Sequence, residues 1–376
     1  MTSKCLLLIG GGHSHVEVIR RWGLAPDPGV SVTLVSPDRH TPYSGMLPGY
    51  LAGHYNHADC HIDLEALCVG AGVTRIAASV GRLDLANRVA HCGQAPDQPF
   101  DVLSIDTGST PVLATIPGAD RHGVAIKPAA QFLEHWAQLR DAARTAPRPL
   151  HIVVVGAGAA GVEAVLAMQH RITGDGSCAE FTLIGDGPTI LGVHPPGVQR
   201  RFMTILQSRG IRVRLETPVE SVAPGTLLLR GGERLAFDEV VWVTGAAAPA
   251  WPRVSGLQTD ASGFIEVNAQ LQSLSHPGIF ATGDIASMPH APRPKSGVYA
   301  VRQGPPLTEN LRRALRGDPL LEYRPQPRAL ALISTGDRYA VASYGPFALA
   351  GAWVWRWKDH IDTAFMQRYR VATAKY

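Results

Sequence analysis

The 376-residue sequence predicts an α/β fold in which one strand–turn–helix–strand unit occurs twice. The first copy starts with an apolar segment at 6–9, continues through a glycine-rich turn and apolar residues at helical spacing, and ends in an apolar segment at 32–35. The second copy repeats this order between residues 151 and 184. The 39 glycines and 29 prolines are spread along the chain, which is typical of many short elements. Two such units predict parallel sheets covered by helices.

The two glycine-rich turns have the spacing of a dinucleotide-binding motif. Gly10 and Gly12 occupy the first two glycine positions of the first turn, and Gly156, Gly158 and Gly161 occupy all three positions of the second. The first glycine permits a tight turn, the second lets the backbone approach a pyrophosphate, and the third lets helix and strand pack closely. The following helix presents N–H groups and the positive end of its dipole to the phosphates. Two copies in this context predict two Rossmann-like dinucleotide-binding domains.

Both units depart from the usual pattern. His15 stands where the third glycine of the first turn is expected, and its bulk is expected to push the helix slightly away from the strand. The acid that usually holds a ribose after the second strand is replaced by Ser36, whose hydroxyl can also bond a ribose, and Asp38 follows. In the second unit Gly185 replaces this acid and Asp186 follows. Asp186 weakly favours NADH over NADPH and leaves both open.

Three apolar segments end in similar turns, and their order supports the same interpretation. The turns are Asp106-Thr107-Gly108, Val243-Thr244-Gly245 and Thr282-Gly283-Asp284. Each turn alone is a strand end that any α/β protein contains. Their order and spacing after the two units favour a role in cofactor binding.

Composition argues against several classes of function. The net charge is +4, the isoelectric point is about 8.9, and no block of Lys or Arg stands out, so a nucleic-acid surface is not expected. No apolar stretch approaches the roughly 18 residues of a membrane-spanning helix, and the N-terminal apolar segment is too short for a secretory signal. These features predict a cytoplasmic protein. The five cysteines are scattered and odd in number, which argues against a disulfide scaffold.

On these motifs the chain resembles the FAD-dependent pyridine nucleotide-disulfide oxidoreductase superfamily, in the branch of type II NADH dehydrogenases and sulfide:quinone oxidoreductases. The segments Thr41–Gly49 and Pro294–Gln303 further resemble the flavoprotein module associated with selenide, water dikinase. The resemblance implies a three-layer NAD(P)H domain at 121–249, inserted into an FAD domain formed by 1–120 and 250–325. Residues 326–376 would form a short C-terminal α/β segment that serves as an interface, a cap or a membrane-surface element.

The resemblance also implies which residues bind the cofactors. Asp284 would bond the ribityl chain of FAD, and a helix running from Lys295 through Leu311 would aim its N-terminus at the flavin pyrimidine edge. The residues implied for FAD are Gly10, Gly12, His13, Ser14, Ser36, Ser44, Gly45, Met46, Thr107, Gly108, Gly283, Asp284 and Gln303. Those implied for NAD(P)H are Gly156, Gly158, Gly161, Asp186 and Gly245.

The activity implied is that of an NAD(P)H:acceptor oxidoreductase, in which hydride passes from the nicotinamide to flavin N5. Glu163 resembles the glutamate that lies near the nicotinamide in this family, although an acid in the first helical turn can simply complement the helix dipole. Lys295 is the second candidate catalytic residue, with a solvated loop lysine as the alternative.

The positions of the cysteines limit the class of electron acceptor that the sequence predicts. The segment Thr41–Gly49 contains none, and Cys60 and Cys68 are the nearest candidates, so a dithiol relay and sulfide oxidation by a cysteine pair are disfavoured. A quinone-like acceptor, dioxygen or a one-electron carrier stays open. Two alternatives are a flavoprotein acting in selenium or sulfur metabolism with selenide, water dikinase, and a non-catalytic FAD-binding module.

Two further segments have both a functional and a structural interpretation. Residues 54–63 contain three His, a Cys and two Asp, but ligand-like spacing is common in such a composition and no metal is predicted. Near the C-terminus, Trp353, Trp357, Ile361, Ala364 and Phe365 recur at helical spacing. This stripe favours packing, as a cap or a homodimer contact, over peripheral contact with the inner face of the cell membrane.

Overall fold

The computed structural model describes residues 4–113 and 116–370. The strands before residue 120 are β1 (Lys4–Ile9), β2 (Val30–Val35), β3 (His40–Pro42), β4 (His61–Asp63), β5 (Thr74–Ile76), β6 (Arg82–Asp84), β7 (Val89–His91), β8 (Gln98–Pro99), β9 (Val102–Ile105) and β10 (Thr110–Pro111). They are followed by β11 (Val124–Ala125), β12 (Leu150–Val155), β13 (Ala179–Ile184), β14 (Arg212–Arg214), β15 (Val219–Ala223), β16 (Thr226–Leu229), β17 (Arg234–Ala236), β18 (Glu239–Trp242) and β19 (Ala246–Ala247). The last strands are β20 (Ile265–Glu266), β21 (Ile279–Ala281), β22 (Ala286–Ser287), β23 (Ala331–Ser334), β24 (Ala340–Tyr344) and β25 (Phe347–Gly351).

The helices are α1 (His13–Leu24), α2 (Leu47–Leu51), α3 (His57–Cys60), α4 (Leu64–Ala71), α5 (Ala129–Thr145), α6 (Ala159–Gly174), α7 (Pro196–Ser208), α8 (Trp251–Val254), α9 (Gly297–Arg316) and α10 (Ala352–Gln367). A 3-10 turn at Gly283–Ile285 follows β21. The predicted helix after Lys295 is therefore confirmed as α9.

Two parallel sheets repeat one plan. In the first, strands are ordered β21-β9-β1-β2-β5 and every neighbouring pair is parallel. In the second, the order is β11-β18-β12-β13-β14, again all parallel. The inner strands are almost wholly buried, as expected for sheets whose two faces are both covered. The predicted α/β class with two Rossmann-like units is confirmed, whereas the proposed boundaries at 120, 249 and 325 remain a prediction.

The first sheet is discontinuous in sequence. Its edge strand β21 comes from residues 279–281, after the whole of the second sheet, and pairs with β9 in register from Ile279 against Leu103. Antiparallel strands β23, β24 and β25 pack with α10 to give the short C-terminal α/β segment. The chain thus returns to the first sheet before it ends in this segment.

The two glycine-rich turns differ in how the helix meets the strand. In the second turn, a Cβ on Gly161 would lie 1.8 Å from the carbonyl oxygen of Gly156, so only glycine fits there. In the first turn the imidazole of His15 fills the matching position and is fully buried. Its Nδ1 lies 2.7 Å from the carbonyl oxygen of Gly10, and its Nε2 lies 2.8 Å from Oγ of Ser104. Burial of this polar ring is tolerated because both ring nitrogens have partners.

Candidate functional site

The C-terminal ends of β1, β9 and β21 meet at one edge of the first sheet. Because these strands are parallel neighbours, the turns that follow them converge, and open α/β sheets bind ligands at such edges. The predicted FAD residues Gly10, Gly12, Thr107, Gly108 and Gly283 all lie on these turns. The turn at Gly283 is held by its N–H, which donates to Oε1 of Gln303 on α9 at 2.7 Å.

Asp106 lies at the centre of this edge, and sequence reasoning did not select it. Its Oδ2 accepts hydrogen bonds from the N–H groups of Ser14 (2.9 Å) and His15 (3.3 Å) in the first turn of α1. A Cβ on Gly12 would lie 2.2 Å from the Asp106 carboxyl carbon, and one on Gly283 would lie 2.3 Å from Oδ1. Burial raises the pKa of this carboxyl to about 7. The signal in the sequence was an acid directly before Thr107, at the end of a buried strand.

The carboxylate of Asp106 makes the two helix N-termini unequal. In the first unit it takes two N–H groups that were expected to face phosphates. In the second unit, the matching N–H groups of Ala160 and Gly161 have no side-chain acceptor among the described residues. The second turn therefore keeps the full anion site of a helix N-terminus, and the first keeps part of it.

Residues at the first edge fit a group rich in hydroxyls and phosphates such as FAD. The Nε2 atom of His13 and the Oγ1 atom of Thr282 are buried and have no hydrogen-bond partner among the described residues. Burial lowers the pKa of His13 to about 4, so the imidazole is neutral at pH 7. A Cβ at Gly108 would meet no atom within 4 Å. Unpartnered buried polar atoms are rare in folded proteins and are commonly satisfied by a ligand or water.

Asp284 is held by a residue from the other half of the chain. Its Oδ2 lies 2.9 Å from Nζ of Lys127 and accepts from Oγ of Ser109 at 3.2 Å. Lys127 follows β11 of the second sheet, so this ion pair joins the turn after β21 to the start of the second unit. Sequence reasoning missed Lys127 because a single lysine in a loop carries no pattern.

The segment that contains Ser44, Gly45 and Met46 is held by α10. Lys358 Nζ donates to the carbonyl oxygen of Gly45 and forms a 2.5 Å ion pair with Asp362. A Cβ on Gly297, the first residue of α9, would lie 2.9 Å from Oγ of Ser44. This predicted flavin-binding segment is therefore fixed between the start of α9 and the buried face of α10.

Tyr43 extends the same contact. Its hydroxyl donates to Oδ1 of Asp362 at 3.2 Å, its ring stacks on Phe365 at 4.4 Å between centroids, and its edge meets His13 at 5.6 Å. Lys358 and Asp362 were missed by sequence reasoning, which followed the apolar stripe of this helix. An i,i+4 lysine–aspartate pair within an apolar helix was the available signal.

The two predicted catalytic residues are both held in place. Oε1 of Glu163 accepts from the N–H (2.7 Å) and the hydroxyl (2.9 Å) of Ser334. Burial raises the pKa of Glu163, and the nearby charge of Lys358 opposes this shift. Lys295 donates to the carbonyl oxygen of Ala286 and lies 3.9 Å from the ring centroid of Phe264, so it is not a solvated loop lysine. Their catalytic roles remain predictions.

The remaining predicted residues occupy both edges. Ser14 is fully buried and its hydroxyl donates to the carbonyl oxygen of Ala300 at 2.7 Å. A Cβ on Gly11 would lie 3.3 Å from Oγ of Ser36, so this serine borders the first turn. On the second edge, a Cβ at Gly158 or Gly245 would meet nothing within 4 Å, and Asp186 is exposed after β13. These placements leave room for a nucleotide beside the second turn.

The cysteines and histidines of residues 54–68 are arranged as structural groups. Cys60 and Cys68 are buried free thiols, and burial raises the pKa of each to about 12. The rings of His57 and His61 stack at 3.8 Å. Within residues 4–113 and 116–370, no group of three His, Cys, Asp or Glu side chains is arranged to hold a metal ion.

The predicted apolar stripe of the last helix divides into two faces. Trp353, Trp357 and Ile361 are exposed by 48%, 39% and 40%, whereas Phe365 is buried. Packing as a cap within the chain therefore does not hold for the first three residues, whereas a homodimer contact and a membrane contact stay predictions. Their exposure arises because the buried face of α10 is used by Lys358 and its neighbours. No helix in the described part of the chain is long and apolar enough to cross a membrane.

Comparison with known sequences agrees with the predicted oxidoreductase family. A family model described as pyridine nucleotide-disulphide oxidoreductase matches residues 4–304. An NADH dehydrogenase-like protein of Mycobacterium tuberculosis is 28% identical over 236 residues, which cover 61% of this chain and 59% of that protein. The NADH dehydrogenase-like protein YutJ of Bacillus subtilis is 23% identical, covering 95% of this chain and 99% of its own length. Demethylphylloquinone reductase NdbB of Synechocystis is 27% identical, covering 67% and 63%.

Comparison with solved structures supports the fold. The sulfide:quinone oxidoreductase of Aquifex aeolicus superposes with a TM-score of 0.83 at 18% identity, covering 98% of this chain and 91% of that one. The NDH2 of Plasmodium falciparum in complex with NADH gives a TM-score of 0.81 at 14% identity, covering 97% and 98%. At these identities the likeness establishes the common fold.

Asp106 predicts a pH dependence of stability in protein freed of FAD. Its pKa is about 7 when folded against 3.8 when unfolded, so the folded state holds a proton that the unfolded chain releases. The contribution of Asp106 to the free energy of unfolding should therefore fall as pH rises from about 4 to about 7 and then level off. Buried His13 and His15, with pKa values lowered to about 4, contribute in the opposite direction, so the test compares a variant with the wild type. Asp106→Asn should lack the Asp106 contribution and exceed the wild type by about 2–4 kcal/mol above pH 7. Urea unfolding from about pH 5 to about pH 8 measures this.

Asp318→Asn, at an exposed position, is the matched control and should keep the wild-type slope. A slope in Asp106→Asn equal to that of the wild type would contradict the assignment.

Proposed function

Because the chain belongs to the pyridine nucleotide-disulphide oxidoreductase family, we propose that it oxidises NAD(P)H and passes the electrons to a quinone-like acceptor through FAD. Membership confirms the predicted oxidoreductase family and supports FAD and NAD(P)H as the cofactors. The acceptor, the individual cofactor-binding residues and the domain boundaries are part of the proposal. This chain matches 59% of the length of the NADH dehydrogenase-like protein of Mycobacterium tuberculosis, so the activity in that protein's name is an analogy for this chain.

One observation carries the proposal: two glycine-rich turns lie at equivalent edges of two parallel sheets, and Lys127 joins one edge to the other through Asp284. Bound FAD would accept a hydride from the nicotinamide and release the electrons to a second substrate. The turn at Gly10–Gly12 and the turn at Gly283 would hold its phosphates and ribityl chain. The start of α9 at Gly297 has no side-chain cap, so its N–H groups and dipole would favour negative charge beside it.

A quinone-like acceptor is supported by the state of the cysteines and by the named functions of relatives. A dithiol relay needs a thiolate, and the pKa of about 12 keeps Cys60 and Cys68 protonated at pH 7. Relatives include a demethylphylloquinone reductase and a type II NADH:quinone oxidoreductase. The overall reaction, NAD(P)H plus quinone plus one proton giving NAD(P)⁺ and quinol, consumes a proton that the protein has to deliver.

Glu163, Lys358, Asp362 and Tyr43 form a set of titratable groups suited to that delivery. Tyr43 bonds Asp362, Asp362 pairs with Lys358, and the charge of Lys358 acts on Glu163. The raised pKa of Glu163 lets it hold a proton closer to neutral pH than a solvated glutamate does. We assign Glu163 the role of proton donor to the acceptor and Lys358 the role of positioning the Gly45 segment.

The primary experiment is anaerobic stopped-flow mixing of the FAD-loaded protein with NADH and, separately, with NADPH. The visible absorbance of oxidised flavin should bleach within the time of turnover with at least one nucleotide, and faster with NADH because Asp186 would repel a 2′-phosphate. A soluble quinone should then restore the absorbance. A protein that binds FAD and is bleached by neither nucleotide would refute the proposal and favour a non-catalytic FAD-binding module.

Glu163→Gln tests the proton donor. Reoxidation of the protein by quinone should slow by about tenfold or more, because quinone reduction needs the proton from Glu163. Bleaching by NADH should change by less than about threefold, because hydride transfer to the flavin does not need it. The two half-reactions are measured separately by stopped flow. Glu220→Gln, an exposed glutamate, should leave both rates unchanged. Equal slowing of both steps would show that Glu163 has another role.

We also propose that the exposed face of α10 contacts a membrane surface. Trp353 and Trp357 stack at 6.5 Å between centroids on that face, and Phe347 and Leu349 on the adjoining strand β25 are exposed by 71% and 56%. Aromatic rings on an amphipathic helix favour the membrane–water interface. This contact would bring a lipid-dissolved quinone to the protein. A homodimer contact through the same face is the competing proposal.

Trp353→Ser with Trp357→Ser should weaken binding to neutral phosphatidylcholine vesicles by about tenfold in co-sedimentation, because two buried aromatic rings are lost. Val254→Ser, exposed on α8, is the matched control and should bind as the wild type does. A change from dimer to monomer without any change in vesicle binding would favour the homodimer instead.

The link to selenide, water dikinase remains a prediction from the resemblance at Thr41–Gly49 and Pro294–Gln303. No contact in the structure bears on it.

A further inference from the structure

A cavity of about 510 Å³ lies between the outer faces of α1 and α9, the chain at 323–326 and the end of α10. None of the predicted cofactor-binding residues lines it. Five arginines do so, namely Arg20, Arg21, Arg302, Arg324 and Arg368, and Glu17 is the only acid among the described residues that line it. Its volume falls within the usual range of small-molecule sites.

Glu17 is already fully used. It pairs with Nε of Arg20 at 2.9 Å and Nε of Arg21 at 2.5 Å, and it accepts from the hydroxyl of Tyr369 at 3.0 Å. One carboxylate facing two guanidinium groups still leaves a positive charge. Glu17 therefore cannot neutralise the other arginines of the cavity.

The other three arginines add to this excess. Arg302 and Arg368 have no carboxylate within 4.0 Å among the residues that the structure describes. Arg324 reaches only Glu322, at 3.5 Å, and its side chain is 90% exposed. The cavity thus gathers cations that the described part of the chain does not neutralise.

Two buried polar groups in the wall point to a ligand independently of the charge. The hydroxyl of Tyr323 and the Nε2 amide nitrogen of Gln326 are inaccessible and have no hydrogen-bond partner among the described residues. Both side chains line the cavity. A buried donor without a partner is destabilising, so a wall with two of them is expected to be completed by an acceptor.

We propose that this cavity is a binding site for a phosphate-bearing anion. A guanidinium group can bind two phosphate oxygens at once through two parallel N–H···O hydrogen bonds. A phosphate monoester carries about 1.5 to 2 negative charges near neutral pH. That charge matches an excess of several cations better than a single carboxylate does. Tyr323 and Gln326 supply neutral donors to the same oxygens.

The position of Arg368 suggests two sources for such a ligand. Arg368 follows Ile361 by seven residues and Trp357 by eleven, which is close to two and three helical turns, so it continues the exposed apolar face of α10. The phosphate is accordingly either the headgroup of an anionic lipid at that surface or part of a soluble metabolite. The chemistry at the arginines is the same in both cases.

Calorimetric titration of the FAD-loaded protein with inorganic pyrophosphate tests the site. The wild type should bind saturably, and Arg302→Ala with Arg368→Ala should weaken this binding by about tenfold or more, since charge-assisted bonds are lost. Arg230→Ala, an exposed arginine outside the cavity, is the matched control and should bind as the wild type does. Equal affinity of all three proteins, or no saturable binding by the wild type, would overturn the proposal.

Co-sedimentation with vesicles separates the two sources. Binding to phosphatidylglycerol vesicles that is lost in the double variant identifies a lipid headgroup, whereas unchanged vesicle binding together with lost pyrophosphate binding identifies a soluble ligand. FAD content and far-ultraviolet circular dichroism show whether the double variant is folded. If it is not, Arg324→Glu at a 90% exposed position replaces it and should weaken pyrophosphate binding in the same direction.

Discussion

The carboxylate of Asp106 is the contact on which the first edge of the molecule depends. It ties the start of α1 to the end of β9 through the N–H groups of Ser14 and His15, and it packs against Gly12 and Gly283. Three segments that are far apart in sequence meet at this one side chain. Because the group is wholly buried and its pKa is raised to about 7, its charge is sensitive to whatever else enters the edge.

The second constraint is the buried face of α10. Lys358 and Asp362 form an ion pair with each other. Lys358 also donates to the carbonyl oxygen of Gly45, and Asp362 also accepts from the hydroxyl of Tyr43. An ion pair of this kind is costly to bury, and it is better explained by the specificity of its contacts than by its contribution to stability. The inward face of the helix combines this ion pair with the apolar side chains of Val354, Phe365 and Met366, whereas Trp353 and Trp357 lie outside.

Much of the fold could be predicted from the sequence because glycine spacing and apolar segments report on local geometry. The two βαβ units, the turn after β21 and the helix after Lys295 all follow from such patterns. The site was harder to predict, since the contacts of Asp106 with Ser14, of Lys127 with Asp284 and of Lys358 with Gly45 join residues more than 90 positions apart. A partner at that distance leaves no spacing to recognise. The stripe on α10 left its partner undecided for a related reason: helical periodicity shows that an apolar face exists but not whether the same chain, a second copy or a membrane covers it.

The split first sheet has a consequence for how the chain folds as it is synthesised. Strand β9 exposes one unpaired edge until β21 has left the ribosome, and every strand of the second sheet is made in between. The second sheet can therefore complete its pairing first, as a finished unit carried between two parts of an unfinished one. Domains that emerge early generally fold early, and open strand edges invite wrong pairing. The interval during which β9 waits for β21 is thus the stage at which this chain is most exposed to misassembly.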